Sequence, residues 1–561
     1  VIGLAAVLVG VSAADEATLA RSALLRAEAS RDTARLTTAT VDTGDLALLA
    51  RALGRTRDVA ALGRVTVLVH SQDPRVRAAA LDALTLLPGG DGAARDALGW
   101  LEDTEDRRLA WRAIGQQGGP ADVVTALAAL GGRDAAAAAL ALGRLATRGH
   151  ADASAAPAVL EALAVGHASR TTALAYALYR LRPATLTERQ QGILFEAYRR
   201  TASDSARAWL LAVGLPSLAG SARAEVLDDA LNGPFPLARL AAVTAAAPAD
   251  LDAASWEALA SDEDGAVAWR ARERLGRIPA RTTAADRAEV ADEATLAILL
   301  TDPDPVVVEA AADAVAAAPR SGLRDPLLGA LRAAETEGVT RAVTEALVAL
   351  HAARPSEVPA ARRRGASSEV DLIAAALQRV AVDGPFRARQ TAADALGLAP
   401  SPVLPAAPID WSEAALLAPK AVAVDTTQGR FVIALHPEEA PVTASAFTAL
   451  AAAGALDGTW VHRYVPGFVA QTGDPHGDGL GGPPWLLPDE PSATPFLAGD
   501  VGLARGGIDT GGSQWFVTLS LQAHLDGLYT RFGHVVSGLD VALRLDGDDQ
   551  ILQVRPLELS P

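Results

Sequence analysis

The chain has 561 residues, 50% of them hydrophobic but only 4% aromatic, so it must hold more than one folding unit, with alanine supplying much of the apolar surface. A net charge of −17, with Lys420 the single lysine, excludes a polybasic surface for nucleic acid or membrane. The absence of cysteine excludes disulfides, thiolate nucleophiles and cysteine-ligated zinc.

Val1 to Ala14, VIGLAAVLVGVSAA, is apolar, ends in small residues and is too short to span a bilayer comfortably. It reads as the apolar region and cleavage site of a secretory signal lacking its basic leading part. Residues 1–15 are therefore expected to be a signal remnant. The protein would then be extracytoplasmic, periplasmic or secreted, with no stable membrane insertion after removal of the signal. The alternative is a cytoplasmic protein whose first array helix is this run.

From 16 to 398 a theme recurs. Asp73-Pro74-Arg75-Val76-Arg77 followed by AAALDAL is one copy, and Asp302-Pro303-Asp304-Pro305 followed by VVVEAAADAV is another. Looser copies start near Asp106, Asp134, Ser169, Asp204, Pro234, Asp264, Gly338 and Gly384. A spacing of roughly thirty to forty residues is that of two-helix solenoid repeats. Asp caps a helix, Pro sits at its start, and apolar residues three and four apart face the neighbouring helix. No hairpin buries its own core, so stacking must supply it. The pattern resembles HEAT repeats and predicts one continuous all-α stack without a sheet. Arg75, Arg77, Arg270, Arg272 and Arg274 read as solvated faces and inter-repeat ladders. Trp100, Trp111, Trp209 and Trp269 read as wedges between helices. His70, His150, His167 and His351 fall at unrelated repeat positions and suggest no metal site. Ala399 to Pro408, APSPVLPAAP, is a stiff connector within 399–420. Asp410 to Leu417 follows as one or two amphipathic turns suited to docking what comes next.

The patterning then changes period. A strand is expected over Val422 to Val432, and Ala440-Pro441-Val442-Thr443 opens a helix. Val461, Arg463 and Val465 alternate up to Pro466-Gly467, and Phe468-Val469-Ala470-Gln471 resumes a strand, setting an arginine beside an aromatic ring and an amide. Over Gly512 to Leu519, Gln514 and Phe516 point to one face and Trp515 and Val517 to the other.

His462-Arg463, Pro466-Gly467-Phe468, Gln471, Gly473-Asp474, the GLGG of Gly479 to Gly482, GGSQWF at Gly511 to Phe516 and Leu525-Asp526-Gly527 follow one another in an order that resembles the cyclophilins, peptidyl-prolyl cis/trans isomerases. The resemblance runs from about Ala421 to Leu559 and assigns 421–561 to an isomerase domain. It implies a closed eight-stranded antiparallel β-barrel with two covering helices. The whole chain is thus expected to be multidomain, an all-α HEAT-like solenoid followed by that barrel. It also implies that Arg463, Phe468 and Gln471 are catalytic, and that Val469, Phe516, Leu525 and Tyr529 form the proline pocket with Phe468. Gln514 would join Gln471 in holding the peptide, Ala504 and Arg505 would pair with its main chain, and His524 would border it. Four of these depart from the common pattern. His524 stands where many members have tryptophan, Tyr529 where many have histidine, Arg505 where many have asparagine and Val469 where many have methionine. His462 is expected to be a structural ring within the barrel.

Rotation about a peptide bond faces ~18–20 kcal/mol because the nitrogen lone pair is delocalised. Lowering that barrier needs a donor aimed at the prolyl nitrogen, an apolar socket and anchors for the peptide. No metal or cofactor is called for. The expected partners are proline-containing polypeptide clients, with the solenoid binding clients or a protein partner. The alternative is a solenoid scaffold whose barrel binds proline-containing segments with little turnover.

Overall fold

The computed structural model describes residues 21–275 without 22, 292–352 without 304, 335 and 336, 363–398 without 384 and 385, residues 409 and 416, and 420–557 without 476, 478, 480, 484 and 548. The expected signal remnant and most of the connector lie outside the described residues.

Before 399 the described residues form helices and turns without a strand. Local capping explains where the helices start. Asp73 accepts the N–H of Arg75 with Pro74 in the first turn, Asp264 accepts that of Val267, and Ser203 that of Ala206. Two expected starts are displaced. Asp103 caps the helix Thr104–Gln117, leaving Asp106 buried inside it and paired with Arg77 of the preceding hairpin at 2.5 Å. Asp204 lies just inside its own helix and instead accepts the N–H groups of Leu237 and Ala238, both at 2.9 Å, so it caps the helix of the next hairpin. Arg107 with Asp134 and Arg239 with Asp262 extend the same inter-repeat ladder.

These helices form two layers. Leu46–Arg55, Pro74–Leu84, Thr104–Gln117, Ala135–Thr147, Ala168–Leu181, Asp204–Gly214, Pro236–Ala245 and Gly265–Arg274 stand side by side, each packed on the next. Helices such as Leu62–Val69, Gly90–Leu98 and Ala156–Ala164 back them. Alanine and glycine let the backbones approach closely, and a Cβ on Gly54 would lie 2.6 Å from the Cα of Ala83. Among the described residues the buried apolar side chains before 399 form two clusters, one from Leu24 to Ala271 and one from Leu296 to Ala393. Trp111 is the buried wedge expected. Trp100 is 43% exposed and stacks on His70 with ring centroids 4.8 Å apart, so it covers the surface instead of separating helices.

The C-terminal unit is one antiparallel sheet ordered β3-β4-β6-β5-β7-β2-β1-β8. Its strands are β1 Ala421–Thr426, β2 Gly429–Leu435, β3 Arg463–Val465, β4 Val469–Thr472, β5 Asp500–Leu503, β6 Trp515–Thr518, β7 Arg531–Ser537 and β8 Ile551–Leu557. The single strand expected over Val422 to Val432 is a hairpin, turning at Thr427-Gln428 into Gly429, whose φ of 122° disfavours any other residue. The expected closed barrel is corrected as well. The sheet curls into a half-barrel, and no ladder joins its outer strands β3 and β8. A single bridge between Trp460 and Gln550, with N–H to carbonyl bonds from Gly458 to Ile551 and from Val461 to Asp549, spans the gap. The reason is local, since β3 has three residues and the chain before it turns at Gly458 with φ 76°. The helices Pro441–Ala452 and Leu539–Arg544 cover this sheet, and alternate side chains Trp515 and Val517 enter its core while Phe516 faces away.

The array contacts the C-terminal unit directly, mostly at its loops. Arg31 pairs with Asp509 at 2.5 Å, Arg57 pairs with Asp489 at 3.0 Å, and Arg272, expected to be a solvated or ladder residue, reaches Asp546 at 3.3 Å. Arg55 is buried against Glu28 and donates to the carbonyls of Glu439 and Pro491, and Arg112 donates to that of Ala493 at 2.7 Å. Trp269 meets Tyr464 edge-on at 5.3 Å. Gly54→Val is expected to overpack the seam with Ala83, lowering stability by about 1–3 kcal/mol, read as a reduced denaturant midpoint of the full chain.

Candidate active site

The hairpin β3–β4 brings Arg463 opposite Gln471, and the β4–β6 ladder brings Gln471 opposite Phe516. Arg463 is exposed, and its guanidinium carbon lies 5.8 Å from the ring centre of Phe468. Among the described residues it makes no hydrogen bond or ion pair. Gln471 donates from Nε2 to Gln514 Oε1 at 2.9 Å, and Gln514 donates to the carbonyl of Gly481 at 2.9 Å. The two amides thus act as one oriented pair. His462 Nε2 stands 3.3 Å from the Gln471 amide nitrogen.

Beside this polar edge lies an apolar cluster separate from the sheet core. Val469, Phe496, Phe516 and Leu525 are buried in it, and Phe468, Ala504 and Tyr529 pack against it. The Phe496 and Phe516 rings are 5.8 Å apart, and Tyr529 meets Phe516 edge-on at 6.1 Å. Room for Phe516 depends on Gly502 across the β5–β6 ladder, where a Cβ would come within 2.2 Å of the ring. His524 packs on Phe468 with centroids 5.1 Å apart.

The eleven sequence-expected residues thus fall in two adjoining groups, the polar edge of Arg463, Gln471 and Gln514 and the apolar cluster with its neighbours Arg505 and His524. Arg505 is turned inward. It pairs with Asp489 at 2.8 Å, donates to the Leu528 carbonyl and stands over the Tyr529 ring at 4.7 Å, so its side chain buttresses the socket wall. The Ala504 N–H is already donated to the Gln514 carbonyl at 3.0 Å. Phe496 and Gly502 are structural members of the site not singled out from sequence, and Asp526 enters the sequence reading only within the Leu525-Asp526-Gly527 motif, without a role of its own. Phe496 sits in an irregular proline-containing stretch where no alternation marks a facing residue. Asp526 accepts the Phe496 N–H at 2.8 Å and a guanidinium N–H of Arg144, from the array, at 3.2 Å.

Nearby, His436, Glu438 and Glu439 lie close enough to share a cation. Glu439 is occupied otherwise, accepting from Ser492, Thr494 and Arg531.

Residues 421–558 match the family model described as cyclophilin type peptidyl-prolyl cis-trans isomerase/CLD. Over 123 residues the chain is 45% identical to peptidyl-prolyl cis-trans isomerase B of Bacillus subtilis, covering 22% of this chain and 86% of that protein. The chain belongs to the cyclophilin-type peptidyl-prolyl cis-trans isomerase family. It is also 40% identical over 134 residues to the peptidyl-prolyl cis-trans isomerase of Synechococcus elongatus, covering 24% of this chain and 92% of that protein. A crystal structure of a Cryptosporidium parvum cyclophilin type isomerase aligns with 27% identity and a TM-score of 0.24, covering 25% of this chain and 99% of that one. The family model, matching 421–558, spans the C-terminal sheet and leaves the helices before 421 unassigned.

Burial, reinforced by Arg180 and Arg144, pushes the His524 imidazole down to about 4. The ring is neutral near neutral pH and stacks on Phe468 as an uncharged plate. A base whose pKa is depressed by folding contributes stability that is whole above its ordinary value of 6.5 and is lost as pH falls toward 4. Relative to His524→Phe, the wild-type chain is expected to lose on the order of 2 kcal/mol between pH 7 and pH 4, after allowance for the ring's partial exposure. Denaturant midpoints of both proteins across that range check it.

Proposed function

We propose that the protein catalyses cis/trans isomerisation of X-Pro bonds in polypeptide clients, with 421–561 carrying the chemistry and a HEAT-like array over 16–398 holding that domain in a fixed setting. In this reading the proline ring enters the socket of Phe468, Val469, Phe516, Leu525 and Tyr529. Gln471 and Gln514 hold the flanking peptide, and the strand end at Ala504 and Arg505 lies along its main chain. As the bond twists, the nitrogen lone pair localises, and Arg463 donates an N–H to it. Such a donor strengthens as charge develops, which selects the transition state over either ground state.

The observation that carries this reading is the unpaired guanidinium of Arg463 at the rim of an apolar socket. A charged donor left without an internal partner is poised for a ligand group, whereas a barrel serving only as a binding module has no need to keep one there. Clients or a protein partner would dock on the outer helix layer or on the helices between 293 and 395, because the inner layer up to Arg272 already contacts the isomerase domain. On the apolar run Val1 to Ala14 we also propose export, tested by N-terminal sequencing of the natively expressed protein, where an intact leader in the cytosol would refute it.

Arg463→Ala is expected to lower kcat/KM on an X-Pro peptide by about 100- to 1000-fold, the usual effect of removing one transition-state donor, with an unchanged circular dichroism spectrum. Near-wild-type turnover would refute the assignment, and a folded wild-type chain that binds the peptide without turnover would favour the scaffold alternative.

A further inference from the structure

The helical array contributes a wall to the substrate groove. On one side of His524, Arg144 of the helix Ala135–Thr147 donates to the Ala523 carbonyl and to Asp526, both at 3.2 Å. On the other side, the turn at Gly467 abuts the helix Pro236–Ala245, where a Cβ on Gly467 would lie 2.9 Å from Leu240 and 3.4 Å from Leu237. That turn and the loop carrying His524 are tied together, since Ser520 and Gln522 both donate to the Gly467 carbonyl. Between the two anchoring helices the inner layer has two more, Ala168–Leu181 and Asp204–Gly214. They must therefore face the strip formed by Phe468 and His524 at the mouth of the proline socket.

Those two helices present a cationic and aromatic surface. Arg180 stands over the rings of Tyr176 and Tyr179 at 5.5 and 5.8 Å, and Trp209 meets Tyr176 edge-on at 5.4 Å and stacks on Tyr179 at 6.4 Å. Arg180, Tyr179 and Trp209 are half-buried, so they retain an accessible face. Among the described residues Arg180 makes no hydrogen bond or ion pair, and its Nε is buried without a partner. The Nε groups of Arg112 and Arg144 on other inner helices are also without a partner, but those two arginines reach both a carboxylate and a carbonyl, which Arg180 does not. It occurs in a chain with 67 acidic residues against 50 basic ones, where an arginine without a carboxylate is not explained by shortage. Arg180 also helps to hold the His524 imidazole below its ordinary value, second to burial, as a cation on that side of the groove would.

We propose that Arg180, held over Tyr176 and Tyr179, is a specificity-determining residue that receives the carboxylate of an Asp or Glu flanking the proline of the client. The inference rests on the isomerase reading above and adds a substrate preference to it. A guanidinium held over rings is already oriented, so pairing with a carboxylate costs it little side-chain freedom. Charge-assisted pairs of this kind contribute about 1.5–3 kcal/mol, or roughly ten- to a hundred-fold.

The test uses the full chain and two peptide series that place Glu or Gln at each of the two positions before and the two positions after the proline of an X-Pro peptide. Exchange-detected isomerisation gives kcat/KM, and peptide titration gives affinity. At one position the wild-type protein is expected to favour Glu over Gln by about tenfold or more, with the preference falling as salt rises. Arg180→Gln should abolish the ratio while leaving the rate on the all-neutral peptide unchanged, and Arg180→Lys should keep part of it. Equal rates and affinities for Glu and Gln at all four positions overturn the proposal, as does a preference that survives Arg180→Gln. If the neutral peptide is bound but not turned over, the isomerase reading fails, and the affinity ratio still decides the role of Arg180.

Discussion

The carboxylate of Asp526 joins the two halves of this molecule. One oxygen accepts the N–H of Phe496, a member of the apolar cluster with Phe516, and the other accepts from Arg144 on an array helix, while the Asp526 carbonyl accepts from Gln116 on the preceding inner helix. The group is buried, and burial pushes its carboxyl up against the pull of Arg144, Arg112 and Arg108. Removing one partner of such a buried pair is costly because the other charge is left without compensation, typically about 3–5 kcal/mol. The position of the apolar cluster and the position of the array are therefore not independent. A shift at either end of this contact is transmitted to the other through one side chain.

The remaining contacts follow the same chemistry. Arginines on inner helices reach irregular segments of the isomerase domain whose carbonyls have no sheet partner, as Arg55 does at Glu439 and Pro491 and Arg112 does at Ala493. A planar five-donor group suits this task because it can satisfy a carboxylate and a carbonyl at once. The chain's near-exclusive use of arginine as its cation thereby acquires a structural meaning. An array joined through its inner face sets the position of the cyclophilin-type domain through these contacts.

An alanine-rich array achieves this rigidity by closeness. Small side chains at contacts such as Gly54 with Ala83, or Gly115 with Ala141, where a Cβ would stand 2.9 Å from the facing Cα, bring helix backbones together. Each contact buries little area, so many hairpins are needed, and charged ladders such as Arg77 with Asp106 set their register. Asp204 capping the helix of the next hairpin carries the same logic into the backbone hydrogen bonding.

Local rules carried much of this in the sequence. Helical period, Asp and Pro at helix starts and the change to strand alternation after 420 identify a helical array followed by a sheet, and the order of motifs resembling the cyclophilins, not strand alternation, groups Arg463, Phe468, Gln471 and Phe516. Only the tertiary structure decided the rest. Whether β3 and β8 close a barrel depends on the turn at Gly458, which no alternation reveals, and the residues around Phe496 have no period to read. Above all, contacts such as Arg144 with Asp526 join residues 382 apart in sequence. Repeat spacing specifies how a hairpin meets its neighbour, but the surface that the assembled inner layer presents arises only when all of its helices stand together.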